Sequence, residues 1–89
     1  MLVICPGSFD PVHNGHLEII ARAASLFDEV VVGVAHIHSK KYLFSLQERV
    51  RLVTDSLAEL GIEGVGVEII PTGVLLAEYA AQRGARALV

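Results

Sequence analysis

Short runs that are apolar without interruption alternate along this chain with segments of helical periodicity. The clearest run is Val30-Val31-Val32-Gly33-Val34-Ala35. A strand with one face in water alternates apolar and polar residues. A strand apolar at every position is covered on both faces, as in parallel sheets. Leu2 to Cys5 and Val65 to Ile70 read as strands, and Arg86 to Val89 opens a fourth. Between them lie three helices. Leu17, Ile20, Ala24 and Phe27 recur at helical spacing in a helix expected from Gly15 to about Phe27. Ser45-Leu46-Gln47-Glu48 is a capping box, and Leu46, Val50, Val53, Leu57 and Leu60 mark the buried stripe of a second helix ended by Gly61. A third is expected from Thr72 or Gly73 to Arg83, closed by Gly84. Strands alternating with helices predict one α/β domain over residues 1–89, an open parallel sheet with right-handed crossovers, four strands and three helices.

Composition narrows the class. The chain is 53% hydrophobic, yet no run approaches the roughly 18 apolar residues of a membrane span. Sheet strands covered on both faces account for the apolar content. The net charge is −3 and aromatic residues make up 6%; without a basic block, a nucleic-acid polymer is not an expected partner. Cys5 is the single cysteine and reads as a small core residue. Met1 leads straight into the first strand, and the expected location is cytoplasmic. The chain stops inside an apolar strand, Ala87-Leu88-Val89. The expectation is the N-terminal part of a longer fold.

The chemistry concentrates in Pro6-Gly7-Ser8-Phe9-Asp10-Pro11-Val12-His13-Asn14-Gly15-His16, between the first strand and the first helix. Backbone N–H groups at a helix N-terminus favour an anion, and His16 falls in the first turn. In open α/β sheets, ligands bind beyond the carboxyl ends of the strands. The polar loop His36–Phe44 leaves the second strand at that same edge. Ser8, His16 and Lys40 are therefore expected at one mouth, with Ser8 bonding a phosphate oxygen and His16 and Lys40 stabilising charge at phosphorus. The loop lacks the Gly-Lys-Ser/Thr of a Walker A motif and the Gly-x-Gly-x-x-Gly fingerprint.

Ser8-Phe9-Asp10-Pro11 followed by His13-Asn14-Gly15-His16 resembles the signature of nucleotidyltransferases with a (His/Thr)-x-Gly-His motif. Together with Ser39-Lys40-Lys41 and Leu43-Phe44-Ser45-Leu46-Gln47-Glu48-Arg49-Val50, it resembles the bacterial phosphopantetheine adenylyltransferases over essentially the whole chain. The resemblance implies a Rossmann-like fold and adenylyl transfer from ATP to 4′-phosphopantetheine. Dephospho-coenzyme A and pyrophosphate would be the products, Mg²⁺ would assist, and the protein would assemble as a homohexamer. His16 would stabilise the transition state. Ser8 and Phe9 would contact ATP, and Ser8 also the acceptor. Lys40 would bind the acceptor phosphate and the transferring one. Leu76 matches a position lining the pantetheine arm, and its residue type fits a helix-face core position equally well. Asp10 and Arg49 match positions of structural role. The first two helices would cover one sheet face and the third helix the other, leaving apolar surface exposed.

Departures from the pattern keep other readings open. His13 stands where relatives acting on nicotinate mononucleotide often have His, so a mononucleotide adenylyltransferase of NAD synthesis is the alternative enzyme. The family's Arg-Gly-Leu-Arg stretch and later Ser/Thr-rich loop lie beyond Val89. About half of the active site is therefore expected here, with weak ATP binding and little turnover from these residues alone. A non-catalytic nucleotide-binding or interaction module is the alternative of another class. Val74 replaces an often polar residue at the pantetheine end. His36 and His38 read as solvated loop histidines. With His13 and His16 they could bring four imidazoles to one mouth, as zinc ligands or as groups that gain charge beside the phosphates below about pH 6.5.

Overall fold

A computed structural model describes all residues, Met1–Val89. The elements run β1 (Leu2–Gly7), α1 (Asn14–Leu26), β2 (Glu29–Val34), α2 (Leu46–Glu59), β3 (Val65–Ile69), α3 (Leu76–Arg83) and β4 (Ala87–Leu88). The four strands form one sheet in the order β3-β2-β1-β4, with every pair parallel. The chain moves outward from β1 to β2 to β3 and then crosses back to place β4 on the other side of β1. That reversal puts a switch point beside the carboxyl end of β1, where open α/β sheets take their ligands.

The uninterrupted apolar strands are explained by two cores. On one face Val3, Cys5, Val30, Val32 and Val34 pack with Leu17, Ile20 and Ala23 of α1 and with Val53 and Leu57 of α2. On the other, Leu2, Ile4 and Val31 pack with Ile70 and with Tyr79 of α3. Successive side chains point to opposite faces, so each strand residue serves one core or the other. Ile4 and Val32 are fully buried, and each such side chain contributes about 1.5–3 kcal/mol. Two helices thus cover one face and one helix covers the other, as the resemblance implied. Leu75, Leu88 and Val89 remain exposed at 72%, 46% and 51%.

Gly33 interrupts the valine run of β2 for a spatial reason. A Cβ there would stand 2.9 Å from Cδ1 of Ile70. The absent side chain lets Ile70 lie across the strand end. Pro6 continues β1 rather than opening the loop, pairing in register with Gly33. On its other side, β1 pairs with β4 at Val3 and Ile4.

Helix boundaries depart from expectation at two places. α1 starts at Asn14, one residue before Gly15, because His13 is its N-cap. α3 starts at Leu76, not at Thr72 or Gly73. Gly73 has φ +84°, and the Val74 N–H donates to the Pro71 carbonyl at 3.3 Å. A closed turn therefore occupies the segment where the helix was expected. At its far end, α3 is tied to β3. The Tyr79 hydroxyl donates to Glu68 Oε1 at 2.6 Å, and Arg83 donates to both Glu68 oxygens. Those bonds hold the Glu68 carboxyl below its usual range, the Tyr79 hydroxyl foremost.

Candidate active site

The loop after β1 turns sharply at Phe9, the only non-glycine residue in the left-handed region, with φ +50°. Such a conformation is strained for a bulky side chain. Burial of the ring offsets it: Phe9 is 4% exposed and belongs to the α1–α2 core. Its ring meets the His16 ring edge-on, centroids 4.8 Å apart. The buried Phe9 side chain thus packs against and supports the imidazole.

His13 and His16 form a reciprocal cap. The His16 N–H donates to His13 Nδ1 at 3.3 Å, and the His13 N–H donates to His16 Nδ1 at 3.1 Å. The rings stack with centroids 3.6 Å apart. Each Nδ1 accepts, so in the neutral rings each Nε2 carries the hydrogen and faces outward as a donor. Gly15 makes this possible, since a Cβ there would lie 2.9 Å from Cε1 of His13. The spacing His13-x-Gly15-His16 is therefore a mechanical unit: a cap, a space for the cap's ring, and an imidazole of fixed tautomer. Partial burial lowers the pKa of His16 below its ordinary value, and His13 beside it lowers it further.

Two side chains lock this loop to the one that follows β2. Asp10 accepts from the Leu43 N–H at 2.7 Å and the Phe44 N–H at 2.8 Å, one carboxylate oxygen each. Arg49 of α2 is fully buried. Its guanidinium donates to the carbonyls of Ser8 (3.0 Å), Ala35 (2.9 Å) and Phe44 (3.2 Å) and to His36 Nδ1 (2.6 Å). No carboxylate pairs with it. Three carbonyl dipoles and an imidazole carry the solvation of that cation. Asp10 and Arg49 are thus structural, as the resemblance implied.

Two clefts flank the segment Pro6–Phe9. A cleft of about 360 Å³ is lined by Pro6, Gly7, Ser8, Ala35, Ile70, Val74 and Leu76. A smaller one of about 70 Å³ lies beside Phe9 and His16 and reaches Val89. The structure therefore brings Ser8 and Leu76 to one cleft and His16 to the other, with Pro6 bordering both. Leu76 is 36% exposed at the cleft rim, so its side chain is a wall residue and not a filled core position.

Lys40 lies in the loop after β2, at the same sheet edge, and its ammonium lines neither cleft. Nζ sits 5.4 Å from the centroid of the Tyr42 ring. The two loops share one sheet edge as expected, but Ser8 and His16 line separate clefts and the Lys40 ammonium lines neither. His36 also differs from expectation, while His38 is an exposed loop residue as expected. His36 is half-buried and bonded to Arg49, which can only donate, so His36 Nδ1 carries no proton. It is tied into the hydrogen bonding of Arg49 and is not a solvated loop residue. His36 and His38 meet edge-on at 5.4 Å, apart from the stacked His13–His16 pair, and no group of three His, Cys, Asp or Glu could hold a metal ion. Burial pushes the Cys5 thiol up, away from nucleophilic reactivity.

Tyr42 and the capping role of His13 were not singled out by sequence reasoning. A signal for Tyr42 exists: an aromatic directly after two lysines in a polar loop. Nothing local marks His13 as a cap, because histidine is not a common N-cap residue.

A parallel sheet ordered 3-2-1-4, a fixed imidazole at a helix N-terminus and a cleft at the strand ends define a nucleotidyltransferase architecture. The chain belongs to the Cytidylyltransferase-like family, whose model matches residues 4–89. Among its relatives, the phosphopantetheine adenylyltransferase of Renibacterium salmoninarum is 57% identical over 86 residues, covering 97% of this chain and 52% of that protein. The phosphopantetheine adenylyltransferase of Helicobacter hepaticus is 46% identical over 91 residues, covering 99% of this chain and 51% of that protein. The chain spans about half the length of the curated relatives it matches. Among solved structures, the lipopolysaccharide core biosynthesis protein from Thermoplasma volcanium GSS1 aligns with a TM-score of 0.75 at 22% identity. That alignment covers 99% of this chain and 71% of that one, and it shows a shared fold.

Proposed function

We propose that this chain forms the N-terminal part of an enzyme that transfers the adenylyl group of ATP to 4′-phosphopantetheine. Dephospho-coenzyme A and pyrophosphate are the products. The observation that carries the reading is the cleft that begins at Ser8 and runs between Ala35, Ile70, Val74 and Leu76. Its walls are mainly apolar and its polar group sits at one end. That suits a long, uncharged arm ending in a phosphate. Identity to proteins named for this reaction over nearly the whole chain supports it.

In this reading the acceptor phosphate attacks the α-phosphorus in line and pyrophosphate leaves. No protein nucleophile is needed. The Nε2–H of His16 donates to the oxygens that gain charge in the transition state, and its tautomer is set before substrate arrives. The Ser8 hydroxyl meets the phosphates, the Phe9 backbone meets ATP, and Lys40 binds the acceptor phosphate from the loop after β2. Asp10 commits both oxygens to backbone N–H groups. In this reading Mg²⁺ enters as part of the nucleotide substrate, held by its phosphates. Assembly into a homohexamer belongs to the same proposal, and the exposed Leu75 is apolar surface available to it. No helix is long and apolar enough to cross a membrane, which suits a cytoplasmic enzyme.

Mass analysis of the products tests the assignment. The full-length gene product is incubated with MgATP and either 4′-phosphopantetheine or nicotinate mononucleotide. Dephospho-coenzyme A from the first and no dinucleotide from the second is the expected result. Dinucleotide formation alone would move the assignment to the enzyme of NAD synthesis, and no product from either would favour a binding module.

A further inference from the structure

The loop from His36 to Phe44 is organised around one aromatic ring. The Tyr42 hydroxyl accepts from the Ile37 N–H at 2.9 Å. The Ile37 carbonyl in turn accepts from the Lys40 N–H at 3.0 Å, closing the turn that carries Lys40. The Tyr42 ring stacks on His36 with centroids 4.9 Å apart, and the Arg49 guanidinium carbon lies 4.0 Å from its centroid. Arg49 is immobilised by its carbonyl and imidazole partners. A ring braced on such a group is itself held. The Lys40 ammonium, 5.4 Å from the ring centroid, is within cation–π range.

We propose that Tyr42 is a positioning residue for Lys40, fixing the Lys40 turn through its hydroxyl and gathering the ammonium through its ring. The inference rests on the reading of Lys40 as a phosphate-binding group. A lysine on a polar loop samples many rotamers, and ordering it on a substrate phosphate opposes binding. A loop whose backbone turn is already closed, and whose cation is already confined to one side, loses less freedom when the phosphate arrives. The path is continuous: Lys40 on Tyr42, Tyr42 on Arg49, and Arg49 on the carbonyl of Ser8. The two groups assigned to the acceptor phosphate, Ser8 and Lys40, are thereby held against one buried guanidinium from opposite loops.

A double-mutant cycle tests this on the full-length gene product, with pyrophosphate release from MgATP and 4′-phosphopantetheine as the readout. Tyr42→Leu is expected to lower kcat/KM for the acceptor about tenfold, the combined scale of one hydrogen bond and one cation–π contact. The KM for ATP should stay within about twofold, since the effect acts through the acceptor side. In a Lys40→Ala background the same substitution should change almost nothing. Tyr42→Phe keeps the ring and loses only the hydroxyl, so it should fall between; where Tyr42→Leu does not fold, Tyr42→Phe carries the same comparison. An equal loss with and without Lys40 would overturn the proposal and leave Tyr42 a purely structural residue, and full activity in Tyr42→Leu would overturn it too. A Lys40→Ala enzyme with unchanged acceptor kinetics would instead overturn the role of Lys40, and the proposal with it. A wild-type protein inert toward 4′-phosphopantetheine would overturn the functional reading itself.

Discussion

In the proposed reaction, His16 suits a phosphoryl centre because its state is decided before any ligand arrives. The His13 N–H occupies its Nδ1, partial burial and His13 disfavour its charged form, and Nε2–H remains as the outward donor. The same facts make acid a threat. The folded pKa of His16 lies below the ordinary 6.5, so between the two values the unfolded chain binds more protons than the folded one. Stability contributed by this group is present above pH 6.5 and is lost as pH falls through the folded value. Urea unfolding at pH 7 and pH 5 should show a smaller loss for His16→Gln than for the wild type, because Gln preserves the reciprocal cap without titrating. An identical loss in both proteins would contradict that account. At this scale the sequence was partly legible. The motif pointed to His16, Ser8 and Lys40 as candidate site residues. Its spacing did not reveal that His13 caps the helix, that Phe9 turns inward at positive φ, or that Lys40 rests on Tyr42, since each depends on contacts between loops.

Elements were more legible than their ends. The apolar runs and helical stripes placed all seven elements, because a period of two or of 3.6 is written in the side chains themselves. Boundaries moved where backbone hydrogen bonding decided them, as at the Pro71–Val74 turn that delays α3. What joins the elements was legible only through resemblance. Arg49 ties β1, β2 and α2 together through the carbonyls of Ser8, Ala35 and Phe44. Arg49→Met keeps much of the stem and removes every donor. Three part-buried carbonyls would lose a partner, each at a cost of about 1–3 kcal/mol. The expected destabilisation is about 3 kcal/mol or more, read from the urea midpoint, with Arg49→Lys recovering only part because an ammonium cannot reproduce the planar fork. A change under about 0.5 kcal/mol, the range of an ordinary surface substitution, would contradict the clamp.

At the scale of the molecule, the topology places two loops at one edge of the sheet and gives each a different task. The β1 loop presents the imidazole and the Ser8 hydroxyl. The β2 loop presents Lys40, and the buried guanidinium between them keeps the two in register. The cleft extends from this edge along Ile70, Val74 and Leu76, beneath the start of α3. The absence of a side chain at Gly33 lets Ile70 lie across the strand end, where a Cβ would collide with it, so that Ile70 lines the cleft. The central claim is that a preset His16 donor on this frame accelerates adenylyl transfer to 4′-phosphopantetheine. Its most direct test is the rate of pyrophosphate release by the full-length gene product and by its His16→Ala variant, with circular dichroism to confirm that both are folded. The account predicts dephospho-coenzyme A formation by the wild type and a fall in kcat of about 10²–10³-fold in the variant, the scale of losing one preorganised transition-state donor. A folded His16→Ala protein that turns over at the wild-type rate would contradict it.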